Sequence, residues 1–85
     1  MKYQIRLEEN TEKKLNNLTK KDRDRVIKSF LALSRYPYFG KKLREELAGY
    51  FSITIWSIKI IYRVYEQIKL VSIAMIINEE GINKH

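Results

Sequence analysis

The stretch YFSITIWSIKIIYRVYEQIKLVSIAMII, residues 50–77, decides the fold of this chain. Its apolar and polar residues alternate with a period of two over most of its length, which is typical of half-buried β-strands. Two breaks in the alternation, one around Ser57 and Ile58 and one at Glu66 and Gln67, predict tight turns. Because strands joined by tight turns pair antiparallel, the stretch predicts a three-stranded meander.

One strand and two helices are predicted before the meander. Lys2–Leu7 alternates like a strand, and residues 10–18 fit a short amphipathic helix. A capping pattern that begins at Thr19 opens a longer helix, which ends near Arg35 because Pro37 disfavours helical geometry at the preceding residue. This order predicts an α+β fold in which a helix hairpin covers one face of a mainly antiparallel sheet and leaves the other face open.

The segment between the second helix and the meander is predicted to be partly helical. In residues 41–48, Leu43 and Leu47 lie four positions apart, and Gly49 is well placed to end a helix in the left-handed conformation. We therefore expect one or two helical turns here.

Composition limits both the architecture and the class of partner. The chain has 85 residues and no cysteine, so residues 1–85 are predicted to form one domain without a disulfide or a thiolate metal site. The longest apolar run, Val71–Ile77, is far shorter than the roughly 20 residues of a membrane span. Since residues 1–10 also lack the apolar region of a secretory signal, a cytoplasmic location is expected.

The net charge of +7, from 17 Lys and Arg against 10 Asp and Glu, favours a polyanionic partner. A nucleic acid and an acidic protein both satisfy this preference. The alternative is that the charge serves solubility alone.

The predicted meander places a group of aromatic, cationic and small residues on the open face of the sheet. With a turn at Ser57 and Ile58, the expected cross-strand neighbours are Trp56 with Lys59, Thr54 with Ile61, Ser52 with Arg63, Tyr50 with Tyr65, Ser72 with Ile61, and Ala74 with Lys59. Aromatic edges, two cations and a floor of small residues can stack bases and hold phosphates. The alternative is that the cations are ordinary solvated residues and that the tryptophan only packs on the hairpin.

Further candidate residues lie on this face or beside it. The candidate RNA-binding residues are Lys41, Lys42, Arg44, Trp56 and Tyr65. Lys41, Lys42 and Arg44 form a basic loop beside the predicted open face. The sequence contains no phosphate-binding glycine loop, no metal-ligand spacing and no Ser/His/Asp set.

Three short motifs point to a known family. They are YPYFGKKL at residues 36–43, LAGY at residues 47–50 and IKIIYRV at residues 58–64. With these motifs and its element order, the chain resembles the RelE/ParE superfamily of bacterial and archaeal toxins over nearly its whole length. The resemblance implies the toxin half of a type II toxin–antitoxin pair.

Members of that superfamily act on two different targets. RelE-like members cut messenger RNA in the ribosomal A site with no metal or other cofactor, whereas ParE-like members inhibit DNA gyrase. Both are neutralised by an acidic antitoxin whose partly disordered segment folds on the toxin, so a hetero-oligomer is expected. The resemblance therefore favours a ribosome-dependent endoribonuclease, with a gyrase inhibitor or a non-toxic antitoxin-binding remnant as alternatives.

The catalytic candidates are Lys59, Arg63, Lys84 and His85. The family pattern implies Lys59 and the two late residues, whereas Arg63 is a candidate because it shares the predicted open face with Lys59. Lys59 falls where the family has an arginine followed by two aliphatics and a tyrosine, here Tyr62. In the preceding strand, Ser52 and Thr54 stand where the family has two lysines, and Trp56 stands where it has a nearby arginine. The arginine of the family's last strand falls near Ile77 or Asn78. Lys84 or His85 are therefore the remaining candidates toward the C-terminal end of the sequence. Because a phosphorane favours positive charge that hydroxyls and an indole cannot supply, we expect weak catalysis.

Overall fold

A computed structural model of the protein describes residues 2–79. Along the chain the elements are β1 (Gln4–Leu7), α1 (Thr11–Asn16), α2 (Lys20–Arg35), β2 (Lys41–Lys42), β3 (Tyr50–Ile55), β4 (Ile58–Tyr65) and β5 (Leu70–Asn78). Two 3₁₀ turns, Glu45–Leu47 and Glu66–Ile68, lie between strands. Within the described part of the chain, no helix has the length and apolar character to cross a bilayer.

The long helix α2 begins and ends where the sequence predicts. The Thr19 hydroxyl accepts a hydrogen bond from the Asp22 N–H at 3.1 Å, which satisfies one of the free donors of the first turn. The helix ends at Arg35, two residues before Pro37. Its fully buried Val26 and Leu33 pack onto the sheet, so α2 provides most of the helical side of the core.

The sheet has five strands in the order β1-β5-β4-β3-β2. Strands β3, β4 and β5 form the predicted antiparallel meander, and β1 pairs parallel to β5 at one edge. The helices belong to the connection that follows β1, and they cover one face of the sheet. The predicted α+β architecture with helices on one face is therefore confirmed.

The prediction of helical turns over residues 41–48 is wrong for most of this segment. Lys41 and Lys42 form the edge strand β2, opposite Ser52 and Phe51, and only Glu45–Leu47 makes a 3₁₀ turn. Nucleating so short a helix costs free energy, whereas the edge of β3 offers backbone partners to an extended chain.

The predicted strand register is displaced by two residues in the first hairpin. The two turn residues are Trp56 and Ser57, so Thr54 lies opposite Lys59 and Tyr50 lies opposite Arg63. The turn comes one residue earlier than predicted because Trp56 adopts a positive φ of 57°, which is unusual for a bulky side chain. A shift of two leaves every side chain on its predicted face.

The second hairpin departs from prediction both in its turn and in a bulge. The turn is longer than the predicted two residues, since Glu66–Ile68 forms a 3₁₀ turn and Tyr65 pairs with Leu70, so Ser72 lies beside Arg63 rather than Ile61. Farther along, Ile61 lies opposite Met75 and Tyr62 opposite Ile73, which leaves Ala74 as the extra residue of a β-bulge. Ile77, not Ala74, therefore lies beside Lys59.

The loop after α2 is fixed to the sheet through two tyrosines. The Gly40 N–H donates to the hydroxyl of fully buried Tyr62 at 2.9 Å, and burial raises the pKa of this phenol. The Tyr38 hydroxyl donates to the Glu66 carboxylate at 2.8 Å, which raises the pKa of Tyr38 to about 12. A Cβ at Gly40 would lie 2.5 Å from the Tyr62 hydroxyl and 2.7 Å from the Ser52 carbonyl oxygen. The close approach of the loop to β3 and β4 thus requires glycine at this position.

We expect Tyr62→Phe to lower the free energy of unfolding by about 1 to 3 kcal/mol, because the Gly40 N–H loses its partner. Gly40→Ala should cost a similar amount, about 1 to 3 kcal/mol, because the added methyl group displaces the loop. Urea unfolding followed by circular dichroism measures both, with the exposed Tyr36→Phe as the matched control. A Tyr62→Phe protein as stable as this control would contradict the assigned contact.

Candidate polyanion-binding face

The sheet surface that faces away from the helices carries the candidate functional residues, and we call it the open face. Strand register and alternation place on it Gln4 and Arg6 of β1, Lys41 of β2, Tyr50, Ser52 and Thr54 of β3, Lys59, Ile61, Arg63 and Tyr65 of β4, and Leu70, Ser72, Met75 and Ile77 of β5.

Arg63 lies between two tyrosines on this face. Its guanidinium carbon is 5.0 Å from the ring centroid of Tyr50, its cross-strand partner, and 5.7 Å from that of Tyr65. Both distances are in the range of cation–π attraction. The two rings hold the guanidinium beside the sheet while leaving its charge available.

A second polar cluster on the open face joins β1 to β5. An Arg6 Nη2 donates to the Ser72 hydroxyl oxygen at 3.3 Å, and that hydroxyl donates to the Glu8 carboxylate at 2.7 Å. Ser72 has no exposed surface although it faces away from the helices. The side chains of the open face therefore cover this position.

Lys59 stands near the end of the open face, between Thr54 on β3 and Ile77 on β5. Its Nζ lies 4.0 Å from Glu79 Oε2, and both side chains are more than a third exposed. Such an exposed pair is worth less than about 1 kcal/mol, so the ammonium remains able to bind another anion.

Trp56 does not lie on the open face with the other candidates. It occupies the β3–β4 turn with 73% of its surface exposed, and the Arg25 guanidinium of α2 lies 4.1 Å from its ring centroid. Arg25 also contacts Asp22 at 3.3 Å. The predicted pairing of Trp56 with Lys59 is therefore wrong, because the indole turns toward the helix layer.

The basic loop is divided between the two faces. Lys41 pairs with Ser52 and so borders the open face as predicted, whereas Lys42 pairs with Phe51 and belongs to the helix side. Arg44 is exposed just before the 3₁₀ turn. The edge strand thus contributes one cation to the open face instead of three.

The positions that the family pattern assigns to cations carry mostly hydroxyl or apolar side chains on this face. Ser52 and Thr54 lie on it, and so does Ile77. Lys84 and His85 lie outside the described residues. Among residues 2–79 the cations of this face are Arg6, Lys41, Lys59 and Arg63.

The chemistry available on the open face is anion binding by guanidinium and ammonium groups beside aromatic rings. Cleaving RNA through its 2′-hydroxyl needs a base at that hydroxyl, positive charge at the phosphate and an acid at the 5′ oxygen. Lys59 and Arg63 can supply the charge. Glu8 adds a carboxylate to this surface, since it accepts a hydrogen bond from the Ser72 hydroxyl that Arg6 also contacts.

Sequence reasoning missed Arg6 and Glu8 as members of this surface. The alternation in residues 2–7 already separated Arg6 from the apolar side of β1, but the prediction named no partner strand for β1. The signal that was available is the strand–helix–strand order, since a helical crossover favours parallel pairing in one sheet.

Comparison with known proteins gives similarity at the level of structure. No protein-family model matches the sequence, and neither does any curated protein. Among solved structures, the toxin–antitoxin complex RelBE2 from Mycobacterium tuberculosis contains a chain with 30% sequence identity and a TM-score of 0.85. The match covers 92% of this chain and 99% of that one.

Two more distant structures share the fold. A mutant of the E. coli toxin RelE in the free state is 20% identical, with a TM-score of 0.80 over 95% of this chain and 87% of its own. The archaeal RelE–RelB complex from Pyrococcus horikoshii contains a chain that is 19% identical, with a TM-score of 0.77 over 94% of this chain and 98% of that chain.

Proposed function

This chain belongs to the RelE family of toxins, and we propose that it arrests translation by cleaving messenger RNA on the ribosome. The observation that carries the proposal is the open face, on which Lys59 and Arg63 stand two residues apart on one strand. Within residues 2–79 no helix covers this sheet surface, and its cations and flanking tyrosines suit a single-stranded polyanion.

In the proposed reaction, the messenger RNA supplies its own nucleophile. The 2′-hydroxyl loses its proton to a base and attacks the adjacent phosphorus, and the bond from phosphorus to the 5′ oxygen breaks as that oxygen gains a proton. Lys59 stabilises the negative charge that develops on the phosphate. Since Ser52 and Thr54 cannot add charge there, the reaction is expected to be slow and to need the ribosome to position the RNA.

The proposed partner in the resting cell is an acidic antitoxin. RelBE2 is a toxin–antitoxin complex, and the Pyrococcus horikoshii structure is a RelE–RelB complex. The net charge of +7 on this chain supports attraction to an acidic segment.

The test of the proposed function runs two assays side by side with the purified chain. Reconstituted ribosomes carrying a defined messenger RNA report A-site cleavage by primer extension, and relaxed plasmid with DNA gyrase reports supercoiling. We expect cleavage on ribosomes, none of free RNA, and unchanged supercoiling. Gyrase inhibition without cleavage would favour the ParE-like alternative, and inactivity in both assays would favour a non-toxic antitoxin-binding remnant.

The chain end provides a separate prediction. Deleting Lys84 and His85 should abolish the cleavage, because the family pattern leaves these residues as the late candidates for proton transfer or charge stabilisation. Primer extension measures the loss, and circular dichroism of the shortened chain checks that the loss does not come from unfolding. Undiminished cleavage by the shortened chain would exclude both residues from the reaction.

A further inference from the structure

The β3–β4 turn has a bulky residue at a position that normally carries glycine, asparagine or aspartate. Ile55 pairs with Ile58, so Trp56 and Ser57 are the two turn residues, and Trp56 has a φ of 57°. A β-carbon makes this backbone conformation unfavourable, and an indole side chain offers no local hydrogen bond to offset the strain. A contact from outside the turn is therefore needed to stabilise it.

Arg25 of α2 supplies that contact. Its guanidinium carbon lies 4.1 Å from the centroid of the Trp56 ring, well within the range of cation–π attraction. The same guanidinium lies 3.3 Å from the Asp22 carboxylate, and the side chains of Arg25 and Asp22 are only 27% and 17% exposed. The Asp22 N–H is bound by the Thr19 hydroxyl at the start of α2. The helix therefore holds the guanidinium in position against the indole.

The turn determines the surroundings of Lys59. Because Trp56 and Ser57 form the turn, Lys59 lies opposite Thr54 on the open face. The Ser57 carbonyl oxygen accepts the Glu79 N–H at 2.8 Å, and the Glu79 carboxylate lies 4.0 Å from the Lys59 ammonium. A turn one residue later would keep the face of every side chain but place Lys59 opposite Trp56. The neighbours of the ammonium therefore depend on the conformation of the turn.

We propose that Arg25 is a positioning residue for Lys59: by stacking on Trp56 it holds the β3–β4 turn, and the turn fixes Lys59 opposite Thr54. Arg25 belongs to α2, on the other side of the sheet from the open face, so it acts through Lys59 and not on the RNA. This role deepens the proposed function and rests on it for its effect on cleavage. Its effect on the turn is measurable without RNA.

The first test observes the turn in the free protein. Trp56 is the single tryptophan of the sequence, so its fluorescence reports the stack on Arg25. A nuclear Overhauser contact between the Hα protons of Thr54 and Lys59 reports the register, because these residues face each other across the hairpin. Arg25→Gln should shift the emission and remove most of the Overhauser contact. Arg35→Gln takes an exposed arginine from the same helix and should change neither signal.

The second test measures A-site cleavage as a function of toxin concentration. Arg25→Gln should lower the rate at saturating toxin about 10- to 100-fold, the loss expected when a reacting group is displaced by about 1 Å. The concentration that gives half of the maximal rate should match that of Arg35→Gln, which removes the same charge. Arg25→Lys keeps a cation over the indole and should recover most of the rate.

Trp56→Gly provides a turn that does not depend on Arg25. Glycine adopts a positive φ without strain, so this variant should keep the Overhauser contact and most of the cleavage rate. Adding Arg25→Gln to Trp56→Gly should then have no further effect on either. If Arg25→Gln does not fold by itself, the comparison of Trp56→Gly with the double variant carries the test.

The outcomes separate the positioning role from the proposed function. The role is overturned if Arg25→Gln only lowers the melting temperature, if it removes the Overhauser contact while cleavage stays at full rate, or if it causes a further loss in the Trp56→Gly chain. If the unmodified chain does not cleave RNA but its Overhauser contact depends on Arg25, the positioning of Lys59 stands and the proposed function fails. Full cleavage by every Arg25 variant would leave the function and remove the role.

Discussion

Cleavage of messenger RNA on the ribosome is expected to fall about 100- to 1000-fold when Lys59 is changed to alanine, the usual loss for one stabilising group. The ammonium stands on the open face between Thr54 and Ile77, neither of which can replace its charge. The first-order rate of A-site cleavage at saturating toxin measures the effect on the chemical step rather than on binding. Because the Lys59 side chain is 38% exposed and its ion pair is long, folding should be nearly unchanged.

Two further variants make the Lys59 experiment decisive. Lys59→Arg should keep most of the cleavage rate, because it retains the charge and supplies the residue type that the family pattern has there. Lys28→Ala removes an exposed lysine from α2 and should leave the rate unaltered. Rapid cleavage by the Lys59→Ala chain would show that the reaction takes place elsewhere on the molecule.

The same Lys59 illustrates how far the sequence determines the site. Alternation with a period of two predicted that Lys59 lies on the open face. This prediction is correct although the predicted register was displaced by two residues, because a shift of two preserves the face of every side chain. Its neighbours were predicted wrongly, because they depend on where the turn falls. The turn at Trp56 needs a positive φ that sequence preference assigns to glycine or asparagine, so residue type gave no signal for it.

The row of Arg6, Ser72 and Arg63 was not predicted for a different reason. It depends on the parallel pairing of β1 with β5 and on the length of the β4–β5 turn, in which Glu66–Ile68 forms a 3₁₀ turn before Leu70 pairs with Tyr65. The sequence pattern predicts a two-residue turn at Glu66 and Gln67, and no local signal marks the longer one. Local periodicity thus predicted the elements and their faces, whereas the contacts between strands required the structure.

The edge strand β2 shows how tertiary contacts override a local pattern. Leu43 and Leu47 have helical spacing, but the Leu43 N–H donates to the Tyr50 carbonyl oxygen at 3.0 Å. Gly40 brings this segment close enough to β3 for that pairing. Weak local propensity decides the conformation only when no neighbouring strand offers its backbone groups.

Addition of an acidic antitoxin segment is expected to raise the stability of this chain more than any substitution. Mass action gives about 4 kcal/mol when the free segment is present at 1,000 times its Kd. For a chain of this size each kcal/mol corresponds to roughly 4 to 8 °C, so the melting temperature should rise by about 15 to 30 °C. A scan of the purified chain with and without the segment encoded by the neighbouring gene measures the rise. A cognate acidic segment that fails to co-purify would remove the basis for the expectation.

Exposed apolar side chains on α2 offer one place where this segment can bury its own apolar residues. Ile27 and Leu31 are 44% and 63% exposed and lie one helical turn apart. Changing both to serine should remove a large part of the antitoxin-induced rise while leaving the free chain nearly as stable, because neither side chain belongs to the core. Ile68→Ser, in the β4–β5 turn, is the matched control, since Ile68 is 68% exposed and lies outside α2. A full rise in the α2 variant would place the acidic segment on the open face instead, where it would compete directly with RNA for Arg63 and Lys59.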